Sequence, residues 1–376
     1  MSGPRVLLTG ANGFIGSHIL NQLLEKSVFV QAVVRSKEKA SKIAKDFPHA
    51  GKSKLGFSIV PDITAPKAFE NCIKESLPLS AIIHTASPVS SATIPSEYIE
   101  PAIQGTLQIL EAAHNYAPSL KRFVYTSSIQ SVVNPLDLNG IGTHYSSNSW
   151  NPVTMDQAMS GPLALTYSAS KTFAEKAGQL LFLWGKFVED AHADNHVAWE
   201  FMKIRKPQFE LVVLNPPGVF GPHRNHIEST ASLNASNKWL YRNLMLSERS
   251  TAVPPDTVPL TVDVRDLALA HYQAAFAPGV GNRRYLVAEG SHLNQEICDY
   301  LRTVLGSEWE GRIPLGSPGN YTPAPDAFKT DLSDAQEILG RAYRSFEETF
   351  TDTGRYIADL HQKSPPLSDV GNETAW

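Results

Sequence analysis

Tyr167 and Lys171 stand four residues apart in Tyr167-Ser168-Ala169-Ser170-Lys171. On a helix that spacing puts a phenol and an ammonium on one face, one turn from each other. A phenol with a pKa near ~10 is a poor source of phenolate at neutral pH. A neighbouring cation lowers that value and stabilises the phenolate left once the proton is given up. Ser127 and Ser128 close an apolar run from Arg122 to Thr126 that reads as a buried strand. A hydroxyl at the carboxyl end of such a strand can polarise a bound oxygen. A proton donor, its electrostatic partner and a positioning hydroxyl are the groups that carbonyl reduction needs beside a source of hydride. Tyr-x-x-x-Lys alone recurs by chance, so the weight falls on what accompanies it.

A dinucleotide is the hydride source that the first residues suggest. Thr9-Gly10-Ala11-Asn12-Gly13-Phe14-Ile15-Gly16 lies directly between an apolar run, Val6 to Thr9, and an amphipathic one from Phe14 to Lys26. Glycines there allow a tight turn, close backbone approach to a pyrophosphate and close helix–strand packing, with the helix N-terminus favouring negative charge. A glycine turn can be merely structural, but the strand–turn–helix setting favours cofactor contacts at Gly10, Asn12, Gly13, Phe14, Ile15 and Gly16. The second strand ends in Val33-Val34-Arg35-Ser36-Lys37-Glu38-Lys39, with no acid at the strand end itself to accept ribose hydroxyls. Arg35, a planar fork of donors, and Lys39 one turn on suit a 2′-phosphate, so NADPH is the expected cofactor. The competing explanation is a solvated charged face at a helix start. Asp62 and Ile63 could flank the adenine, with Asp62 accepting from its amino group; alternatively Asp62 caps a helix that Pro66 helps to open.

These groups must be held by a framework, and the first half of the chain supplies one. Short apolar runs at Val6–Thr9, Val28–Val34, Leu55–Val60, Ala81–His84, Arg122–Thr126 and Glu210–Leu214 read as strands. Between them fall helical stretches at 14–26, 36–46 and 96–116, and one that begins near Thr166. Such alternation predicts an α/β fold, a Rossmann doubly wound parallel sheet, with a smaller C-terminal substrate-binding lobe. The NADP-binding domain is expected over 1–215, with later segments around 250–290 returning to it. Residues 216–361 form mainly the substrate lobe, and the tail from 362 is loose. Residues 134–162 read as irregular, and beyond Asn215 the elements look short, with a late strand at 281–288 and helices at 294–305 and 345–361.

The chain has 376 residues and a formal net charge of -4, with 42% hydrophobic and 19% charged residues. That composition suits a globular enzyme and lacks the basic footprint of a nucleic-acid partner. Its two cysteines, Cys72 and Cys298, cannot make a disulfide framework, and no Cys/His cluster has metal-ligand spacing, so no metal is expected. The start has no signal-peptide pattern and no apolar stretch approaches membrane-spanning length. A cytoplasmic protein, monomer or homodimer, acting on a small carbonyl substrate is the expectation. The sequons at Asn234, Asn320 and Asn372 are then chance matches.

The residues above also carry a resemblance. Thr9 to Ser17, Arg35 to Lys39, Ile83 to Pro88, Val124 to Ser128, Tyr167 to Ala177, Leu214 to Pro222 and Val262 to Asp266 occur in the order seen in one family. The chain resembles the extended short-chain dehydrogenase/reductases, in the dihydroflavonol-reductase-like branch with the fungal aldehyde, ketone and methylglyoxal reductases. The resemblance implies Tyr167 as proton donor, Lys171 as its partner and ribose ligand, and Ser128 rather than Ser127 as the carbonyl contact. It places Thr85, Ala86 and Ser127 beside the cofactor, and Pro216, Gly218 and Val219 around the nicotinamide. Ser87-Pro88-Val89, 134–162 and 217–226 should surround the substrate, with Trp150-Asn151-Pro152 matching the branch. Phe220, Trp239 and Tyr272 are wall candidates for which ordinary packing is the commoner role. Two other readings stand beside a reductase: a related dehydrogenase or nucleotide-sugar epimerase, and a non-catalytic cofactor binder.

One segment departs from the family pattern. Gly178 to Val197 separates Ala174-Glu175-Lys176-Ala177 from Ala198-Trp199-Glu200-Phe201, stretches that normally follow one another almost directly. Without it the two join into one amphipathic helix. Translation of a short retained intron and a genuine insertion both account for it, and the mature transcript distinguishes them.

Overall fold

The computed structural model describes residues 3–87, 94–134, 143–176, 197–323 and 327–363. In chain order its elements begin β1 (Arg5–Thr9), α1 (Phe14–Glu25), β2 (Phe29–Val34), α2 (Lys37–Asp46), α3 (Gly51–Lys54) and β3 (Leu55–Ile59). There follow α4 (Glu70–Glu75), β4 (Ala81–His84), α5 (Ser96–Tyr116), β5 (Arg122–Thr126), β6 (His144–Tyr145), α6 (Met155–Ser160), α7 (Leu163–Lys176) and α8 (Val197–Arg205). Next are β7 (Glu210–Asn215), β8 (Gly218–Phe220), α9 (Ala235–Leu240), β9 (Leu260–Asp263), α10 (Val264–Phe276), β10 (Arg283–Leu286) and β11 (Gly290–Ser291). The last are α11 (Asn294–Leu305), α12 (Ser307–Glu310), β12 (Lys329–Thr330), α13 (Ser333–Leu339) and α14 (Phe346–Lys363).

Seven strands form one sheet in the order β10-β7-β5-β4-β1-β2-β3, every neighbouring pair parallel. Val6, Leu7 and Leu8 of β1 are fully buried, as a strand covered on both faces requires. Helices α1 and α10 pack together on one face, over Leu20, Val30, Leu267 and Ala274. Helices α5, α7 and α8 pack on the other, whose core includes Ile109, Phe123, Ala174, Ala198 and Phe201. The expected Rossmann sheet is therefore present, and the expected strands and helices of the first half recur with bounds within a few residues.

Other expectations are corrected. No helix opens at Pro66; the next one starts at Glu70, and Asp62 instead accepts from Thr64 two residues on, an Asx turn. Within the stretch read as irregular, α6 opens on a capping box of Thr154 and Gln157. The region past Asn215 holds a thirteen-residue helix, α10, capped by Asp263, which accepts from the Arg265 N–H at 2.8 Å. Gln362 and Lys363 belong to α14; residues 364–376 lie outside the described residues, as do 88–93, 135–142 and, from the segment singled out above, 177–196.

A smaller sheet, β11-β9-β8, and a third core of Phe220, Leu240, Ile297, Leu301, Trp309, Phe350 and Ile357 build the C-terminal lobe. It stands over the carboxyl ends of the large sheet, because β8 follows β7 after only Pro216 and Pro217.

Candidate active site

In this strand order β1 lies between β2 and β4, so the connections diverge there and leave a crevice beyond the carboxyl ends of β1 and β4. The glycine loop forms one lip. Gly10 has φ +70°, and a Cβ there would sit 2.5 Å from Thr85 Oγ1. At Gly16 a Cβ would fall 2.1 Å from the Gly10 carbonyl oxygen. Side chains at either position would fill the cradle that a pyrophosphate needs, and α1 starts at once, with Gly13 as its N-cap. Thr85 Oγ1 donates to the Thr9 carbonyl at 2.7 Å, and the Ala86 N–H to Thr9 Oγ1 at 3.1 Å. Thr85 and Ala86 are thereby fixed beside the loop. His84, behind them, pairs with Thr9 Oγ1 at 2.9 Å; burial pushes its pKa down to about 3, so it is neutral.

The C-terminal lobe reaches back to this loop. Asn225 donates to the Asn12 carbonyl and accepts from Ser17, and the Phe14 ring lies 4.6 Å from that of His223. Ile15 packs against the first core. Arg35 and Lys39 are exposed just past the end of β2, and Ser36 caps α2 by accepting from the Lys39 N–H. Lys39 and Lys42 line a cavity of about 320 Å³ with Ala11, Asn12 and Asn225. The donor set fits a phosphorylated ribose: two cations and no carboxylate follow β2 before Glu38. Asp62 is held by Thr64, and those hydrogen bonds keep its carboxyl below the usual range. Ile63 packs against the second core, where it faces Gly105.

On the far side of the crevice, Ser128 follows β5, and Tyr167 and Lys171 project from α7. The Ser128 hydroxyl is hydrogen-bonded to Tyr167. Lys171 Nζ stands 5.9 Å from the Tyr167 ring centre. Tyr167 is half-buried, whereas Lys171 is almost enclosed. Burial lowers the Lys171 pKa to about 8, and Glu175 opposes that shift. The Tyr167 pKa is raised, by burial first, with the Ser128 hydrogen bond acting against it. The spacing of Tyr167 and Lys171 predicts a lowered phenol pKa; burial raises it instead. Protonated tyrosine is the form that gives a proton, so the arrangement suits an acid at neutral pH.

Helix α7 takes its place through Gln130, which accepts from Ser168 through its side chain, and through Thr166, which donates to the Ala158 carbonyl. Pro216 is tied to the serine turn, its carbonyl accepting from the Ile129 N–H at 2.9 Å. A Cβ on Gly218 would sit 2.9 Å from the Phe220 ring, and the Val219 N–H donates to Ser236. The three residues thus begin the lobe immediately above Ser128. Of the wall candidates, Phe220 and Trp239 belong to the third core and Tyr272 packs against the first.

Ser127 is placed differently from Ser128. Its hydroxyl turns inward and donates to Glu175 Oε2 at 2.6 Å. Glu175 was not singled out from the sequence, although it lies one turn beyond Lys171 on the same helix face. Arg284 on β10, which pairs with it, and Asn215 at the end of β7 were likewise not singled out, because only the pairing of β10 with β7 in the sheet brings both to Glu175.

Residues 6–177 match the family model described as NAD dependent epimerase/dehydratase family. The ketoreductase azaE of Aspergillus niger is 33% identical over 93% of this chain and 96% of its own length. The NADPH-dependent methylglyoxal reductase GRE2 of Saccharomyces cerevisiae is 31% identical over 94% and 97%. The solved yeast methylglyoxal/isovaleraldehyde reductase Gre2, complexed with NADPH, superposes with a TM-score of 0.81, at 30% identity, over 96% of this chain and 99% of that one.

Proposed function

The chain belongs to the NAD dependent epimerase/dehydratase family, among the extended short-chain dehydrogenase/reductases, and from that premise we propose that it reduces an aldehyde or ketone to the alcohol with Tyr167 as proton donor. It is an NADP-dependent oxidoreductase, and NADPH is its cofactor. The residues that would hold the cofactor are the loop from Gly10 to Gly16, Arg35 and Lys39 beside the 2′-phosphate, Thr85 and Ala86 along its backbone, and Pro216 to Val219 at the nicotinamide. When bound, NADPH supplies the hydride that reaches the carbonyl carbon.

Ser128 hydrogen-bonds the carbonyl oxygen and holds it toward Tyr167. As negative charge gathers on that oxygen, Tyr167 passes it the phenolic proton. Lys171 stabilises the phenolate that remains, and its enclosure makes that charge count for more than it would in water. The observation that carries the reading is Tyr167, half-buried at the crevice and joined to Ser128, with Lys171 beside it.

Oxidation of NADPH is to be followed with aldehydes, diketones and keto esters, with NADH as control. Tyr167→Phe should lower kcat by about 100-fold or more, while NADPH still binds, as followed by its fluorescence. Turnover retained by that variant would remove Tyr167 from the role. A parent protein that binds NADPH but oxidises it with no carbonyl would point to a non-catalytic binder.

A further inference from the structure

Glu175 is completely buried at the back of the site, and its carboxylate is saturated with donors. Oε2 accepts from Ser127 Oγ at 2.6 Å, Ser131 Oγ at 2.7 Å and Asn215 Nδ2 at 2.9 Å. Oε1 pairs with the Nε of Arg284, itself buried. Arg284 spends its other donors on the carbonyls of Ser147 at 2.8 Å and Ser149 at 2.6 Å, and its guanidinium lies 3.5 Å from the Trp150 ring centre. One carboxylate therefore joins α7, the serine turn after β5, the last residue of β7, β10 and the segment before Asn151. A buried ion pair is a poor route to stability, because desolvation offsets the attraction and apolar residues often do as well. Its position, one turn beyond Lys171 and two beyond Tyr167, calls for another account.

We propose that Glu175 is a positioning residue for the reaction: through Ser127, Ser131 and Asn215 it sets the serine turn against the Tyr167–Lys171 face, through Arg284 it sets the Trp150 segment, and it is the counter-charge of Lys171. This rests on the carbonyl-reductase reading above. The Ser128 carbonyl oxygen accepts from both Asn215 Nδ2, at 3.2 Å, and Ser131 Oγ, at 2.8 Å, so the turn carrying the Ser128 hydroxyl is anchored by the same two groups that hold Glu175. Among the described residues, the ionisable groups facing Lys171 and Glu175 are Tyr167 on α7, Tyr125 on β5, neutral His84 on β4 and Arg284 on β10, with Tyr98 of α5 acting on Tyr167. Glu175 is the group that raises the Lys171 pKa against burial. Removing its charge lowers that pKa further, and the ammonium is then lost at a lower pH.

The test uses the full-length protein with saturating NADPH and a carbonyl that the parent reduces. Glu175→Gln keeps the shape and removes the charge. Glu175→Gln with Arg284→Met removes both charges, which keeps the experiment readable where a lone buried Arg284 would unfold the single variant. Glu175→Asp restores the charge alone. The folded neutral variants should bind NADPH within about threefold of the parent and lose about tenfold or more in kcat, the scale of a small displacement of reacting groups. In Glu175→Gln the alkaline limb of the kcat profile should move about one pH unit lower, and Glu175→Asp should bring it back. NMR titration of Lys171 labelled at its ε-carbon in the cofactor-free protein should show the same downward move. A folded double variant with kcat within about twofold of the parent, well short of the loss a displaced group causes, or a limb unmoved in Glu175→Gln, overturns the proposal and leaves the reductase reading standing. Absence of carbonyl-dependent NADPH oxidation by the parent overturns both.

Discussion

In the proposed cofactor site Arg35 is the residue assigned to the 2′-phosphate, since it stands exposed where β2 ends and no acid occupies the strand end. A guanidinium on a phosphate makes charge-assisted, bidentate hydrogen bonds that a ribose hydroxyl cannot replace. Arg35→Ser should therefore reduce kcat/KM with NADPH by about 10- to 100-fold and leave the NADH value nearly unchanged. Initial rates with both cofactors decide it, and an equal loss with both would assign Arg35 a structural part. The position was legible because a strand end followed by Arg-Ser-Lys is a local pattern, as were the loop at Gly10 and the pair Tyr167 and Lys171. Glu175 and Arg284 were not, since they are partners across 109 residues and nothing near either one in sequence announces the other. Asp62 was half legible: its role as a local acceptor could be expected, but the donors it meets are those of Thr64 rather than the first turn of a helix.

Among elements, those buried on both faces could be read directly, and β4, α5 and β5 have the bounds that their apolar runs predict. Helix α10 was missed although Asp263 caps it and Leu267, Ala270 and Ala274 recur at helical spacing, because the prolines around it suggested short pieces. Strands β8 and β9 pair Gly218–Phe220 with Thr261–Asp263, and no local signal marks a ladder that spans such a distance. Helices α7 and α8 make a more specific case. They pack against each other, and Ala174 of one and Ala198 and Phe201 of the other enter the same core. Ends already held together gain nothing from a long connection, whose ordering costs chain entropy. A chain lacking 178–197 should fold, bind NADPH as tightly as the parent and melt no lower. A deletion variant that is insoluble or loses cofactor binding would make the segment integral to the protein.

Over the whole molecule, the question is what fastens the C-terminal lobe to the sheet whose edge it covers. Helix α10 answers it, since it packs on α1 in the first core and carries a cluster of ions on its other side. Arg265 bridges Asp263, at 2.6 Å, and Asp352 of α14, at 2.7 Å. Asp266, fully buried, accepts from the Arg344 N–H at 2.6 Å and pairs with the side chains of Arg344 and Arg341. Helix α14 in turn packs against β8, the strand that leaves the Pro216–Val219 turn. Asp266→Ala strips the acceptor from that cluster and leaves the Arg344 N–H without its carboxylate. Its expected cost is about 3 kcal/mol, the scale of breaking a buried pair from one side, discounted because Arg341 is partly solvated. Urea unfolding should show the midpoint falling accordingly. Because the damage reaches the site through α14 and β8, KM for the carbonyl should rise more than the NADPH dissociation constant. A variant as stable as the parent would show that the lobe is held by its apolar core alone, and equal weakening of both ligands would show that α10 serves the sheet rather than the lobe.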